Sequence, residues 1–180
     1  MNDKIKKHIL KVFNHYLEAI ENAKISKELG LNARNPNFPS EISEYIVKHS
    51  LCKYWDLDKD DIIKPKDGDL MLVSDKRKIE VKCFSSNGPI SFGPIEKWNF
   101  LILVDARKCN INEFKIYEIP FANTTNVIKN IPVSKTENFD DQAKQKRRPR
   151  IRPNELLSYL NDKVKLIKEG TLEKLLNIKK

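Results

Sequence analysis

The chain has little glycine, with five in 180 residues. None falls into a Gly-rich phosphate loop or a dinucleotide fingerprint, so nucleotide binding of those kinds is not expected. The three histidines, His8, His15 and His49, form no HExxH or HxxxH pair, which argues against a zinc hydrolase. Cys52, Cys83 and Cys109 are an odd number without a CxxC pair. That excludes a disulfide scaffold and a zinc-finger framework, and it fits a reducing cytosol. No apolar run approaches the roughly 20 residues of a membrane span. The N-terminal apolar residues are spaced rather than contiguous, so no secretory leader is expected. The aromatic residues do not alternate with basic ones as they do on stacking surfaces for single strands or RNA.

What the chain does have is charge. A third of it is charged, and 34 basic residues against 25 acidic ones leave a net charge of +9. Such an excess says nothing about fold but favours an acidic partner, nucleic acid before an anionic membrane. With 39% hydrophobic residues there is enough for a lean core in one domain of ordinary size.

Periodicity divides the chain into helical and extended parts. Ile5, Ile9, Val12, Phe13, Tyr16, Leu17 and Ile20 recur at helical steps, up to the turn-rich segment 30–39. A second helix is expected from Ser40, read as its N-cap, to about Leu51, with Glu41 and Glu44 sharing a face. Residues 69–73 and 78–84 then read as an antiparallel hairpin, the second strand alternating strictly. Phe100 to Val104 is a continuous apolar run of central-strand type, and 114–119 alternates again. From Pro153, Leu156, Leu157, Leu160, Val164 and Ile167 are spaced like the buried stripe of a last helix. Helices before and after a group of strands imply an α/β or α+β domain.

The hairpin carries the chemistry. Glu80 and Lys82 lie two apart on one strand and so share a face. A tight turn brings Asp69, at the start of the partner strand, across from Glu80. Two carboxylates this close require a cation. Magnesium suits one or two carboxylates completed by waters and phosphate oxygens. Such an ion polarises a phosphodiester and generates hydroxide, while a lysine orients water or neutralises transition-state charge.

Asp69 followed by Glu80-Val81-Lys82 resembles the PD-(D/E)xK nuclease signature. The acidic helix at 38–44 and the apolar strand after Trp98 suit the same core order of helix, hairpin, strand, helix, strand. Size and basicity resemble type II restriction endonucleases in particular, and the likeness spans roughly residues 38–120. It implies a restriction-endonuclease-like core, a central mixed β-sheet flanked by helices, within a single nuclease domain over 1–180. It also implies magnesium-dependent cleavage of double-stranded DNA leaving 5′-phosphates. Asp69 and Glu80 would be metal ligands, Glu44 an accessory acid and ligand, and Lys82 the catalytic lysine. Pro65 is not contiguous with the motif aspartate, so Asp67 competes with Asp69, as Glu41 does with Glu44. Asp69 is preferred because it abuts the apolar strand.

The run from Ala143 to Arg152 has six basic residues and no acid: Lys144, Lys146, Arg147, Arg148, Arg150 and Arg152. Its self-repulsion suits a polyanion, through phosphates or through guanine edges. The small-residue loop Ser85–Pro94 leaves the motif strand, and Asn87 and Ser91 are its expected DNA donors. Residues 153–180 are expected to form a C-terminal helical part. One site per chain implies a homodimer on a twofold-symmetric DNA site. A restriction enzyme also implies a partner methyltransferase in the same system and a cytoplasmic location. The competing readings are a structure-selective nuclease, of junction-resolvase or repair type, and a non-catalytic DNA-binding module.

Overall fold

The N-terminal apolar spacing becomes a 26-residue helix, α1 (Asp3–Glu28), which buries Ile9, Phe13, Tyr16 and Ala23. The structure is a computed structural model, and it describes residues 3–93, 97–120 and 125–177. In α2 (Ser40–Tyr54) the cap position belongs to Pro39 rather than Ser40, with φ −62° and no side-chain cap bond. The Pro39 carbonyl accepts the Ile42 and Ser43 amides instead. A proline before the first turn is pre-set for this, since its ring fixes φ and the helix start has donors to spare.

The extended segments follow as β1 (Ile62–Ile63), β2 (Leu70–Leu72), β3 (Lys78–Phe84), β4 (Ile90–Ser91), β5 (Phe100–Lys108) and β6 (Glu113–Pro120). Then come the short helices α3 (Thr125–Lys129) and α4 (Phe139–Lys144), β7 (Arg150–Ile151), α5 (Pro153–Leu160), β8 (Lys165–Gly170) and α6 (Leu172–Leu175). Six strands form one mixed sheet in the order β1-β2-β3-β5-β6-β8, and β4 pairs with β7 in a separate ribbon. The β3–β5 pairing is parallel, and the other pairings are antiparallel. This mixed sheet flanked by helices is an α+β fold consistent with a restriction-endonuclease-like core.

Strand alternation divides the core in two. Ile79, Val81, Ile102, Val104, Phe114 and Ile116 face α1, α2 and α6. Phe84, Leu101, Leu103 and Ile119 face Phe92, Trp98 and the α3–α5 layer. Phe92 and Trp98 are thus core anchors.

Two expectations fail. The stripe from Leu156 to Ile167 is not one helix, because α5 ends at Leu160, a 3-10 turn follows at Asn161–Lys163, and Ile167 falls in β8, the sheet's last strand. Leu156 and Leu160 are buried, whereas Ile167 packs on the opposite face of the sheet. Spacing alone cannot separate a helix from a turn followed by a strand. The helix expected between the strands after the hairpin is also missing. A short 3-10 turn, Cys109–Ile111, with Asn112 at φ 55° joins β5 directly to β6. Asn tolerates that left-handed conformation better than most residues.

His49 on α2 packs edge-on to Tyr45, with ring centroids 5.0 Å apart. Burial, with Lys168, Lys48 and Lys6 nearby, lowers its pKa from 6.5 to about 4. The unfolded chain therefore binds more protons in this range. The stability held here is present above pH 6.5 and is lost as pH falls toward 4. The melting temperature is expected to drop across that window, and His49→Gln should flatten that part of the profile. Parallel profiles for the two proteins would clear His49 of the effect.

Candidate active site

The register of the hairpin sets the geometry. Leu70 lies opposite Ile79, which carries Asp69 to the position facing Glu80. Leu70 and Ile79 both enter the core, so Asp69 and Glu80 project to the other face. The Val81 amide donates to Asp69 Oδ2 at 2.8 Å and locks the carboxylate against β3. Gly68 precedes it with φ +113°, a conformation that side-chain-bearing residues rarely adopt, and so supplies the turn into β2. Lys82 Nζ lies 2.6 Å from Glu80 Oε1, with the two side chains 23% and 18% exposed. Both are shielded yet reachable from solvent.

Asp69 and Glu80 open onto a cleft of about 590 Å³, shared with Asp67, Lys78, Gly93, Lys97 and Trp98. Asp67 is exposed there, whereas Asp69 is half-buried and pinned by the backbone. A second cleft, of about 610 Å³, is lined by Lys97, Lys129, Lys144, Lys146, Arg147 and Arg148, with Asp140 as its acid. Gly93 and Lys97 line both clefts. A carboxylate pair therefore adjoins a strongly cationic trough.

The two helix acids part company. Glu44 is 8% exposed and Glu41 is solvent-facing, although their spacing suggests one face. Lys64, just after β1, forms an ion pair with Glu44. Its ammonium is held above the usual lysine range, chiefly by Glu44 and further by Asp69 and Glu41. Lys64 thus links Glu44 to the Asp69 side of the site. Nothing in the sequence pattern marks Lys64 or Lys97, because each lies in a connection rather than on a periodic face.

The expected DNA donors are placed unevenly. Asn87 Oδ1 accepts from Arg107 Nη1 at 2.7 Å. Arg107 also pairs with Asp105 and stacks over Phe84, so the Asn87 side-chain oxygen joins a surface clamp. Ser91 stands opposite Arg150 in the β4–β7 ribbon, which joins the Ser85–Pro94 loop to the basic run. Pro94 itself lies outside the described residues. Lys144 pairs with Asp140 at 2.8 Å, Arg147 with Glu137 at 3.1 Å and Arg152 with Glu155 at 3.7 Å. Among the described residues, Lys146, Arg148 and Arg150 have no carboxylate partner. Self-repulsion within the run is thus relieved at half of its cations by acids on flanking segments.

Among the described residues no three His, Cys, Asp or Glu side chains converge as a metal cage. The donor chemistry at Asp69 and Glu80 still fits a hard divalent ion. One oxygen of Asp69 is used by Val81 and one of Glu80 by Lys82, which leaves each carboxylate a second hard oxygen. Magnesium takes one or two carboxylates and fills its remaining positions with water and substrate oxygens.

A family model described as Bsp6I restriction endonuclease matches residues 1–157. The chain belongs to the Bsp6I restriction endonuclease family. The Bsp6I match takes in Glu44, Asp69, Glu80, Lys82 and the whole basic run, and it stops ahead of β8 and α6. No curated protein and no solved structure matches the chain. As a Bsp6I-family restriction endonuclease it is a nuclease that acts on DNA. No helix among the described residues is long and apolar enough to cross a membrane.

Removing Lys64 would leave the Glu44 carboxylate buried without its counter-charge. Lys64→Ala is expected to lower stability by about 1 kcal/mol near neutral pH, the exposed lysine keeping the effect small. Glu44→Gln added to it should restore part of the loss. Urea unfolding of the four proteins of this double-mutant cycle measures the coupling, and strictly additive costs would refute it.

Proposed function

We propose that this Bsp6I-family chain is a type II restriction endonuclease that hydrolyses double-stranded DNA with magnesium. The observation that carries this reading is the facing pair Asp69 and Glu80, with Lys82 ion-paired to Glu80, in a cleft that adjoins a cation-lined trough. In this reading Asp69 and Glu80 hold the metal, and Glu44, steadied by Lys64, is the accessory acid. Bound magnesium supplies Lewis-acid polarisation of the scissile phosphate and lowers the pKa of its water.

The chain's own groups do the positioning. The Val81 amide fixes the Asp69 carboxylate, so its free oxygen is aimed before substrate arrives. Lys82 orients the attacking water and offsets negative charge as it grows on the phosphate oxygens. Water attacks phosphorus, the P–O3′ bond breaks, the leaving oxygen takes a proton, and the product keeps a 5′-phosphate. The lysines of the trough hold the DNA backbone, and their number predicts steep weakening of binding with salt.

The whole chain is proposed to be one nuclease domain, because the sheet that begins with β1 is completed by β8 near the C-terminus. Two such chains, paired on a twofold-symmetric site, would cut both strands. Cytoplasmic residence and a cognate methyltransferase complete the proposal; the three cysteines are unpaired, as a reducing compartment requires.

The test is digestion of phage and plasmid DNA, with magnesium or with chelator, by the wild type, Glu80→Ala and Lys82→Ala. Discrete fragments that need the metal and vanish in both variants are expected. Lys82→Ala should keep its DNA affinity in a gel-shift assay. Cutting confined to branched duplexes would instead indicate a structure-selective nuclease. Binding without any cutting would indicate a non-catalytic module.

A further inference from the structure

The β4–β7 ribbon is short, and its two faces differ. Ile90 stands opposite Ile151, and Ser91 stands opposite Arg150. Ile151 is 1% exposed in the core beneath α5. The next pair outward is fixed by the Phe92 amide, which donates to the Pro149 carbonyl at 3.0 Å. Phe92 is also buried, with its ring 5.9 Å from Phe139 and 6.2 Å from Trp98. Alternation then puts Ser91, Gly93, Arg148 and Arg150 on the outer face. Arg148 and Arg150 are exposed. A Cβ added at Gly93 would meet nothing within 4 Å, so the face is open beside that residue.

Three facts, taken together, single out these two arginines. Neither has a carboxylate partner among the described residues, unlike Lys144, Arg147 and Arg152. Both are mounted on a paired, core-anchored strand or its direct extension, so their Cα positions are held. Gly93, on the partner strand's extension, also lines the Asp69–Glu80 cleft. A face read here is therefore continuous with the cutting site.

We propose that the outer face of the β4–β7 ribbon is the base-reading element, with Arg148 and Arg150 recognising guanine edges. The proposal rests on the nuclease reading above and deepens it. The major groove admits a two-stranded ribbon, and a guanidinium fork matches the O6 and N7 acceptors of guanine. Glu137 and Glu155 compete for Arg147 and Arg152, and Lys144 has no fork, which ranks all three behind Arg148 and Arg150. Lys97 and Lys146, single-point cations lining the trough, hold phosphates. Ser91, opposite Arg150, adds a hydroxyl donor and acceptor on the same face.

The experiment uses a randomised duplex library, digested with magnesium and also selected for binding with calcium in place of magnesium. Wild type, Arg148→Lys, Arg150→Lys, Lys146→Ala and Glu80→Gln are compared, and cut ends and bound duplexes are sequenced. Lysine keeps a phosphate contact but cannot form the fork. The arginine variants are expected to lose guanine preference at defined positions, by roughly 10- to 100-fold in discrimination. Lys146→Ala should weaken all sequences alike and reduce the salt slope by about one. An arginine-variant profile identical to wild type, or an equal loss on every sequence, overturns the ribbon assignment. A wild type that cuts nothing or cuts without preference overturns the restriction-endonuclease reading itself, and Glu80→Gln shows whether any cutting belongs to this site.

Discussion

The parallel pairing of β3 with β5 is the constraint on which the rest of the molecule depends. Strands that run the same way cannot be joined by a tight turn, so the chain must leave the sheet and return. Here it leaves after Phe84 and returns at Phe100. That excursion carries β4, Gly93, Lys97 and Trp98, and it brings them over the face from which Glu80 and Lys82 project. Had β3 and β5 been antiparallel, a short turn would have sufficed. Neither the cleft wall nor the ribbon would then exist.

A second consequence follows from alternation. On one face β3 contributes Ile79, Val81 and Cys83 to a continuous apolar layer. On the other it contributes Glu80 and Lys82 and only then Phe84. The polar residues sit where the α3–α5 layer does not cover the strand, at the junction with the short strand β2. Charge is tolerated there because water and the Val81 amide still reach it. The site is thus placed at the rim of a core, where an ion and a phosphate are able to enter and full desolvation is avoided.

The basic run shows how a repulsive segment is made useful. An Asn138 capping box starts α4 and fixes Asp140 and Asp141 in its first turn. Asp140 and Glu137 then neutralise Lys144 and Arg147. Strand pairing with β4 holds the next stretch without consuming its charges. A restriction endonuclease of the Bsp6I family acts on DNA, and the proposed role of this run is to meet that polyanion. Some cations are tied into the scaffold by acids, and among the described residues Lys146, Arg148 and Arg150 have no carboxylate partner.

Much of this was determined locally, and local physics is what a sequence displays. The hairpin, the shared face of Glu80 and Lys82, the position of Asp69 and the long first helix follow from periods of 2 and 3.6 that neighbouring residues impose. The excess of positive charge and the composition of 143–152 are visible without coordinates. What the tertiary structure alone decided depends on partners far apart in the chain. β8 replaced the second half of an expected helix because an open edge of β6 was there to pair with. Glu44, buried where Glu41 is exposed, found its partner in Lys64, twenty residues downstream. Asn87 went to Arg107, and Ser91 met Arg150. Which cation keeps a free fork is settled by the acid the fold brings beside it, and no local period encodes that neighbour.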